Sequence, residues 1–248
     1  MKVFLAGEPT FKVVYKDDDI FKGAKILQSF AYINNYTENH IIPNCKEFIL
    51  DSGAFTYRMS KGKPLDIDWV DYTIRYADFI NRKEISHFFE IDIDSIIGYE
   101  NVKKLRKVLE ERTGRQCIPV WHFERGKEEF LKMCDNYNYV ALGGIAGRND
   151  VKIDEKYFPW FINEAHYRNC KIHALGYTKM EGLKKFKFDS VDSSSWTSGA
   201  RYGLMYIFTG NSMKQIKKPN GTRAKTYPIA VHNFLEWKKF SDWAEVHL

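Results

Sequence analysis

Phe88-Phe89-Glu90-Ile91-Asp92-Ile93-Asp94, the stretch FFEIDID, is a hydrophobic run that ends on acids. Strict alternation there puts Phe89, Ile91 and Ile93 on one face, which in a barrel would pack on the helices, and Glu90, Asp92 and Asp94 on the other, which would look into the lumen near its top. The same kind of ending recurs along the chain: Asp51 closes a run in FILDSGAF, and Asp189 and Asp192 fall in FKFDSVDSSSW. An unpaired charge in a core is very costly, so a buried apolar strand ending in an acid must deliver that acid to water, a partner or a ligand. Several such ends converging is how a barrel builds an active site.

Working outward, eight short apolar runs are countable: KVFLAG, AKILQSFAYI, EFILDSG, HFFEIDID, CIPVWHFE, YVALGGIA, KIHALGY and FDSVDSS. Apolar spacing predicts helices over residues 67–80, 99–112 and 158–167. Strand-helix alternation implies parallel strands joined by right-handed crossovers, and eight of them close naturally into an α/β (β/α)₈ TIM-type barrel. The 248 residues suit one such barrel, typically about 250 residues long. The second run reads as strand or helix, and residues 34–45 as a long loop. The expected organisation is one domain over residues 1–248, with 197–248 as a basic C-terminal extension.

An apolar content of 44% excludes wholesale disorder. No stretch approaches the roughly 20 apolar residues needed to span a bilayer, and the N-terminal run is too short for a signal-peptide core. Cys45, Cys117, Cys134 and Cys170 form no CxxC pair, so neither a zinc knuckle nor a redox motif is expected. Reduced thiols without a targeting segment favour the cytoplasm, the host's if the protein is viral, and no membrane partner.

Net charge is +6, and from Ser193 to Phe234 there is no acid, while Arg201, Lys214, Lys217, Lys218, Arg223 and Lys225 are all present. These six positives suggest a grip on nucleic-acid phosphate, against the plain reading of a solvated surface. Pro219, Asn220 and Gly221 predict a hairpin turn between two basic arms, followed by a terminal helix from about Val231. The loop Met59 to Leu65 (MSKGKPL), after the Asp51 strand, suits the mouth of the site.

In FDSVDSSSW, alternation puts Ser190 and Asp192 on one side and Asp189 and Val191 on the other. Asp192, with Ser190, Ser193 and Ser194 as donors, suits a nucleophile, whereas Asp189 caps or pairs with a neighbouring element. Gly143 and Gly144 follow a buried strand, where their backbone groups would be open to a flat ligand. The carboxylates are also hard oxygen donors that suit a divalent metal, and a structural cluster is the plainer alternative.

In order, DSGAF at Asp51, the acidic end at Asp92, ALGGIAG at residues 141–147, HALGY at His173 and FDSVDSSSW around Asp192 resemble the tRNA-guanine transglycosylase superfamily. Its signatures read DSGGFQ, a strand ending in Asp, ALGGLA, MGVG and DMFDC. The likeness covers residues 47–196. It implies that Asp192 attacks C1′ of a nucleoside and that Asp51 is the general acid/base. It also implies that Ser52, Gly53, Asp92, Asp94, His122, Gly143 and Gly144 contact the base. The superfamily's C-terminal zinc motif is missing here, since no cysteine follows Cys170, so no metal and no cofactor are expected. The compact form is similar to viral 7-deazaguanine DNA transglycosylases. Base exchange in DNA, with a free 7-deazaguanine such as preQ0 entering, is therefore the first expectation. Exchange in tRNA, a metal-dependent hydrolase and a non-catalytic nucleic-acid-binding subunit are the alternatives. Phe55, Tyr177 and Trp196 are candidate stacking aromatics.

Overall fold

The computed structural model describes residues 1–7, 18–53, 67–145, 153–198, 202–217 and 226–248. Each of the eight apolar runs holds one strand: β1 Lys2–Ala6, β2 Lys25–Ser29, β3 Glu47–Asp51, β4 His87–Phe88, β5 Val120–Trp121, β6 Tyr139–Leu142, β7 Lys171–Ala174 and β8 Ser190–Ser193. All neighbours pair in parallel, in the order β4-β3-β2-β1-β8-β7-β6-β5. The remaining seam closes through a parallel bridge of Phe89 with Ile118. There Ile118 N–H donates to Phe88 O at 2.8 Å, and Glu90 N–H to Ile118 O at 3.1 Å. The result is the (β/α)₈ barrel that the alternation predicts, with its exposed sheet edges abolished.

The helices are α1 Trp69–Arg82, α2 Asp94–Ile97, α3 Tyr99–Thr113, α4 Gly126–Asn136, α5 Phe158–Tyr167, α6 Met180–Lys185 and α7 Thr226–His247. Helix α1 starts where Asp68 accepts the amides of Val70 and Asp71 at 2.9 and 3.0 Å, satisfying two N-terminal donors. It buries Tyr72, Tyr76 and Ile80, one helical turn apart. Helix α3 stops at Gly114, whose left-handed φ of 65° lets its amide return to Glu110 O at 2.8 Å.

Two departures have local reasons. The expected loop after β2 holds a π-helical turn, Thr37–Ile41, pinned where Gln28 Nε2 donates to Thr37 Oγ1 at 3.0 Å. A hairpin that the sequence reading does not foresee precedes the expected turn. β9 Leu204–Phe208 pairs antiparallel with β10 Met213–Lys217, around a turn in which Thr209 N–H donates to Ser212 O at 2.9 Å. The Pro219-Asn220-Gly221 turn lies outside the described residues. Helix α7 begins at Thr226 and is the barrel's own closing helix: Ser241 donates to Val3 O at 2.6 Å, and Phe234 packs edge-on against Phe21 and Trp196. The β9–β10 hairpin is thus inserted between β8 and the closing helix.

Inward side chains of Phe4, Ala6, Leu27, Ile49, Phe89, Ile118, Val120 and Ala141 fill the lumen with a buried apolar cluster. A lumen packed this way leaves chemistry to its rim. Phe89 therefore faces inward, not toward the helices as the alternation in FFEIDID implied. Glu90 points away from the lumen toward α3. The regular strand ends at Phe88, and period-two alternation fails where the chain turns. Among the described residues, no helix is long and apolar enough to cross a membrane.

Candidate active site

Asp51, Asp92, His122 and Asp192 stand at the C-terminal rim, each at or just beyond the end of its strand. Asp51 is half-buried and, among the described residues, is offered the backbone amides of its own turn, with Gly53 N–H at 3.1 Å. Burial disfavours its charge most. The amides of Gly53 and Ser52 offset part of that, while the nearby charges of Asp92 and Asp192 add to it. The carboxyl is pushed up to about 7. Asp51 and Asp192 thus share one end of the barrel and feel one another.

Asp92 takes His122 Nε2 on both carboxylate oxygens, at 2.8 and 2.9 Å. Burial pulls the His122 pKa down, but the charge and hydrogen bond of Asp92 outweigh it, so the ring is held protonated more readily than a free histidine. Behind this pair lies Arg125, whose side chain is 1% exposed. Its guanidinium meets Glu90 at 2.7 Å, Asp94 at 3.1 Å and Asp92 at 3.5 Å. Glu90, fully buried, also pairs with Arg106 of α3 at 2.6 Å and accepts Val120 N–H at 2.8 Å. Arg125 and Arg106 thus balance much of an acid cluster that would be untenable alone.

On the β7–β8 side, the described partners of Asp192 are an amide and an imidazole, with no lysine or arginine among them. Asp192, 7% exposed, accepts Gly176 N–H at 2.7 Å and faces His173 Nε2 at 3.2 Å. The expected serine donors do other work. Ser190 bonds His173 and Tyr139, and Ser193 accepts Ser195 N–H at 3.2 Å. Asp189 caps the Ile172 amide at 2.8 Å and pairs with His166 of α5 at 3.0 Å, the bracing role its parity assigned.

The other expected site residues divide. Ser52 is buried, its carbonyl takes the Tyr72 hydroxyl at 2.6 Å, and its Oγ has no hydrogen-bond partner among the described residues. Gly53 is needed for its turn: φ is 80°, and a Cβ there would lie 2.8 Å from Ser29 Oγ. Gly143 is not open to a ligand through its amide, which donates to Trp121 O at 2.8 Å. A Cβ at Gly143 would sit 2.4 Å from His122 Cε1, so the residue makes room for that ring. Gly144 lines a cleft of about 460 Å³ together with Asp94, Tyr99, Lys103, His122 and Phe123. Tyr177 and Trp196 are buried core rings, 5% and 1% exposed.

Of the basic residues, Lys214 is exposed on β10 and Lys217 ends that strand. Arg201, Lys218, Arg223 and Lys225, like Phe55, Gly147 and the Met59 to Leu65 loop, lie outside the described residues. Arg125, Glu90, His173 and Gly176 are the participants that strand-end reasoning passed over. The HFER segment carries the signal for Arg125, a cation just after a strand end that faces acids on the neighbouring one.

Asp92, Asp94 and His122 offer three donor atoms within 4.8 Å of one another, a set that could hold a divalent cation. Arg125 already lies against both carboxylates, so a cation would compete with it.

No protein-family model matches the chain. It is 25% identical over 222 residues to uncharacterized protein 306 of Sulfolobus islandicus rod-shaped virus 1, covering 86% of this chain and 69% of that one. Among solved structures it is similar to a chain assigned as a fructose-1,6-biphosphate aldolase of Coccidioides immitis. That match has a TM-score of 0.52, 12% identity, and coverage of 98% of this chain and 91% of that one. A second chain, QR15, an aldolase, matches at a TM-score of 0.43 and 13% identity, over 73% of this chain and 93% of that one. At such identities the likeness shows the barrel fold alone.

The C. immitis likeness is to an aldolase barrel, and on that finding the assignment to the tRNA-guanine transglycosylase superfamily is corrected. With it go base exchange in DNA or tRNA and the 7-deazaguanine substrate. The motifs that carried the resemblance have local causes in the fold: an acid at a strand end, a left-handed turn at Gly53, and space for His122 at Gly143.

Proposed function

We propose that this barrel is an enzyme, a lyase of the aldolase type that makes or breaks a carbon–carbon bond beside a carbonyl group. One observation carries the reading: Asp51 is pushed up to about 7, on the same rim as a carboxylate-paired histidine. A general acid/base works best when its pKa lies near the working pH. Aldol chemistry needs a group that takes a proton from the β-hydroxyl as the bond breaks and returns one when it forms. Near neutrality both forms of Asp51 are populated.

Cleavage leaves an electron pair on the α-carbon, delocalised onto the carbonyl oxygen as an enolate, and the proton that Asp51 took from the β-hydroxyl is then delivered to that carbon; the reverse step removes it, which is the α-exchange that the test reads. His122 lines the cleft, and Asp92 favours its charged form, so it is placed to donate to that oxygen. Arg125 is committed to three carboxylates, so it fixes the acids in place instead of meeting substrate. Asp192 contributes a fixed carboxylate whose charge helps keep Asp51 near neutrality. Among the described residues no lysine occupies the last position of a barrel strand, so a lysine Schiff base is not the electron sink they offer. The C. immitis barrel is assigned to the same chemistry, which agrees with the reading but adds no residue to it.

The test is deuterium uptake. The purified chain is incubated in D₂O with small hydroxyketones, aldehydes and 2-oxo acids, with and without chelator, and followed by proton NMR. Exchange at the α-carbon that survives chelator and disappears in Asp51→Asn is the expected result. Neither exchange nor carbon–carbon cleavage across the panel would overturn the reading.

A further inference from the structure

His173, in β7, has no solvent exposure and lies in the lumen between Phe4 and Phe89, whose rings tilt against it at 6.3 and 5.4 Å. Its Nε2 faces Asp192 Oδ1 at 3.2 Å, and its Nδ1 faces Ser190 Oγ at 2.5 Å. Ser190 Oγ in turn meets the Tyr139 hydroxyl. Four polar side chains thus run through the apolar cluster of the lumen and finish at the rim. An aliphatic residue at 173 would fill the same space without desolvating an imidazole, and buried polar networks are often no more stable than apolar packing. What the chain supplies beyond packing is direction.

A carboxylate only accepts, so Nε2 carries the hydrogen. When Nε2 carries the ring's one hydrogen, Nδ1 is an acceptor. Ser190 donates to it, and Tyr139 donates to Ser190. Each link has one donor and one acceptor, and the first is a phenol that burial keeps protonated. Because that phenol does not readily release its proton, the chain is not a proton supply for Asp192. It is a clamp whose orientation is set from inside the barrel.

We propose that His173 is a positioning residue, locked in the Nε2–H form by Ser190 and Tyr139, that aims the Asp192 carboxylate at the rim. Gly176 N–H, on the loop after β7, holds the same oxygen at 2.7 Å, so among the described residues the carboxylate is fixed from two directions through Oδ1, with Oδ2 the oxygen that would meet the site. The meaning of the rim rests on the lyase reading; the geometry of the clamp does not.

Two measurements on the full chain test this. Long-range proton–nitrogen NMR of His173 needs no substrate and should show hydrogen on Nε2 and a bare Nδ1, with both tautomers present in Ser190→Ala, where the ring, no longer pinned at Nδ1, can turn and offer the hydrogen of either nitrogen to Asp192. A wild-type ring protonated on Nδ1 alone overturns the clamp whatever the reaction. In the exchange assay, His173→Leu should lower kcat by about 10- to 100-fold with KM within about twofold, the loss expected from a misaimed group. His173→Gln keeps a donor toward Asp192 and an acceptor toward Ser190, so it should recover most of that loss. A Leu variant as fast as wild type, or a Gln variant as slow as the Leu variant, overturns the role. If the Leu variant fails to fold, the Gln and Ser190→Ala proteins still decide. An Nε2–H ring that becomes mixed in Ser190→Ala, in a protein with no exchange activity at all, would sink the lyase reading and leave the clamp standing.

Discussion

Asp51 on β3 and Asp192 on β8 stand on the same rim of the same barrel and are held in opposite ways. Asp192 receives a backbone amide and an imidazole, both fixed by packing. Asp51, among the described residues, receives amides of its own turn and feels two other carboxylates, so its proton is retained to about 7. Identical side chains at equivalent places are thus given different chemistry by the donors aimed at them. The β4–β5 sector between them shows a third solution, in which Arg125 and Arg106 balance Glu90, Asp92 and Asp94 with fixed cations.

The sharpest way to break this contrast is Asp51→Asn, which keeps the shape and removes the proton traffic. The rate of α-proton exchange should fall by about 10²- to 10⁴-fold. A fall of less than tenfold would mean that Asp51 is a bystander. Glu90→Gln probes the cation-balanced sector. It leaves two buried guanidiniums under-compensated and should cost roughly 3–5 kcal/mol in urea unfolding. A cost below about 1 kcal/mol would show that solvent, not the ion pairs, stabilises that sector.

The pH dependence of stability separates Asp51 from its neighbours. Its folded pKa of about 7 lies above the ordinary 3.8, so between about pH 4 and 7 the unfolded chain releases a proton that the folded one keeps. Stability contributed by the neutral carboxyl is therefore lost as pH rises through that window, by up to about 4 kcal/mol. Asp51→Asn should remove this component, making the variant the more stable protein at pH 8. Urea midpoints of the two proteins across the window check the sign, and parallel curves would refute it. The smallest expected effect belongs to Gly143→Ala. Its Cβ would displace the His122 ring at a cost of about 1–3 kcal/mol, visible as a lowered Tm. The His173 NMR signals should stay unchanged; a shift in them would show that the two sectors are not independent.

Much of the architecture was legible before any coordinates. All eight apolar runs hold strands because burial and period fix each locally, and the alternation of FDSVDSSSW correctly separated Asp189 from Asp192. The alternation of FFEIDID misled, since it assumes that a strand continues. Here the regular strand stops at Phe88, and Glu90 turns outward to Arg106. The family resemblance failed for a related reason: short motifs at strand ends report what a barrel turn needs sterically, and many barrels need the same things.

By itself the sequence determined which segments are strands, that they are parallel and close on themselves, and that acids lie at their ends. Those properties follow from hydrophobic period and chain length, which act locally. Only the tertiary structure decided which donors meet which acid. Arg125 reaches Glu90 across 35 positions, and His173 reaches Asp192 across 19, distances over which no periodicity carries information. A carboxylate's chemistry is set by the few atoms nearest it, and those atoms are chosen by closure of the barrel.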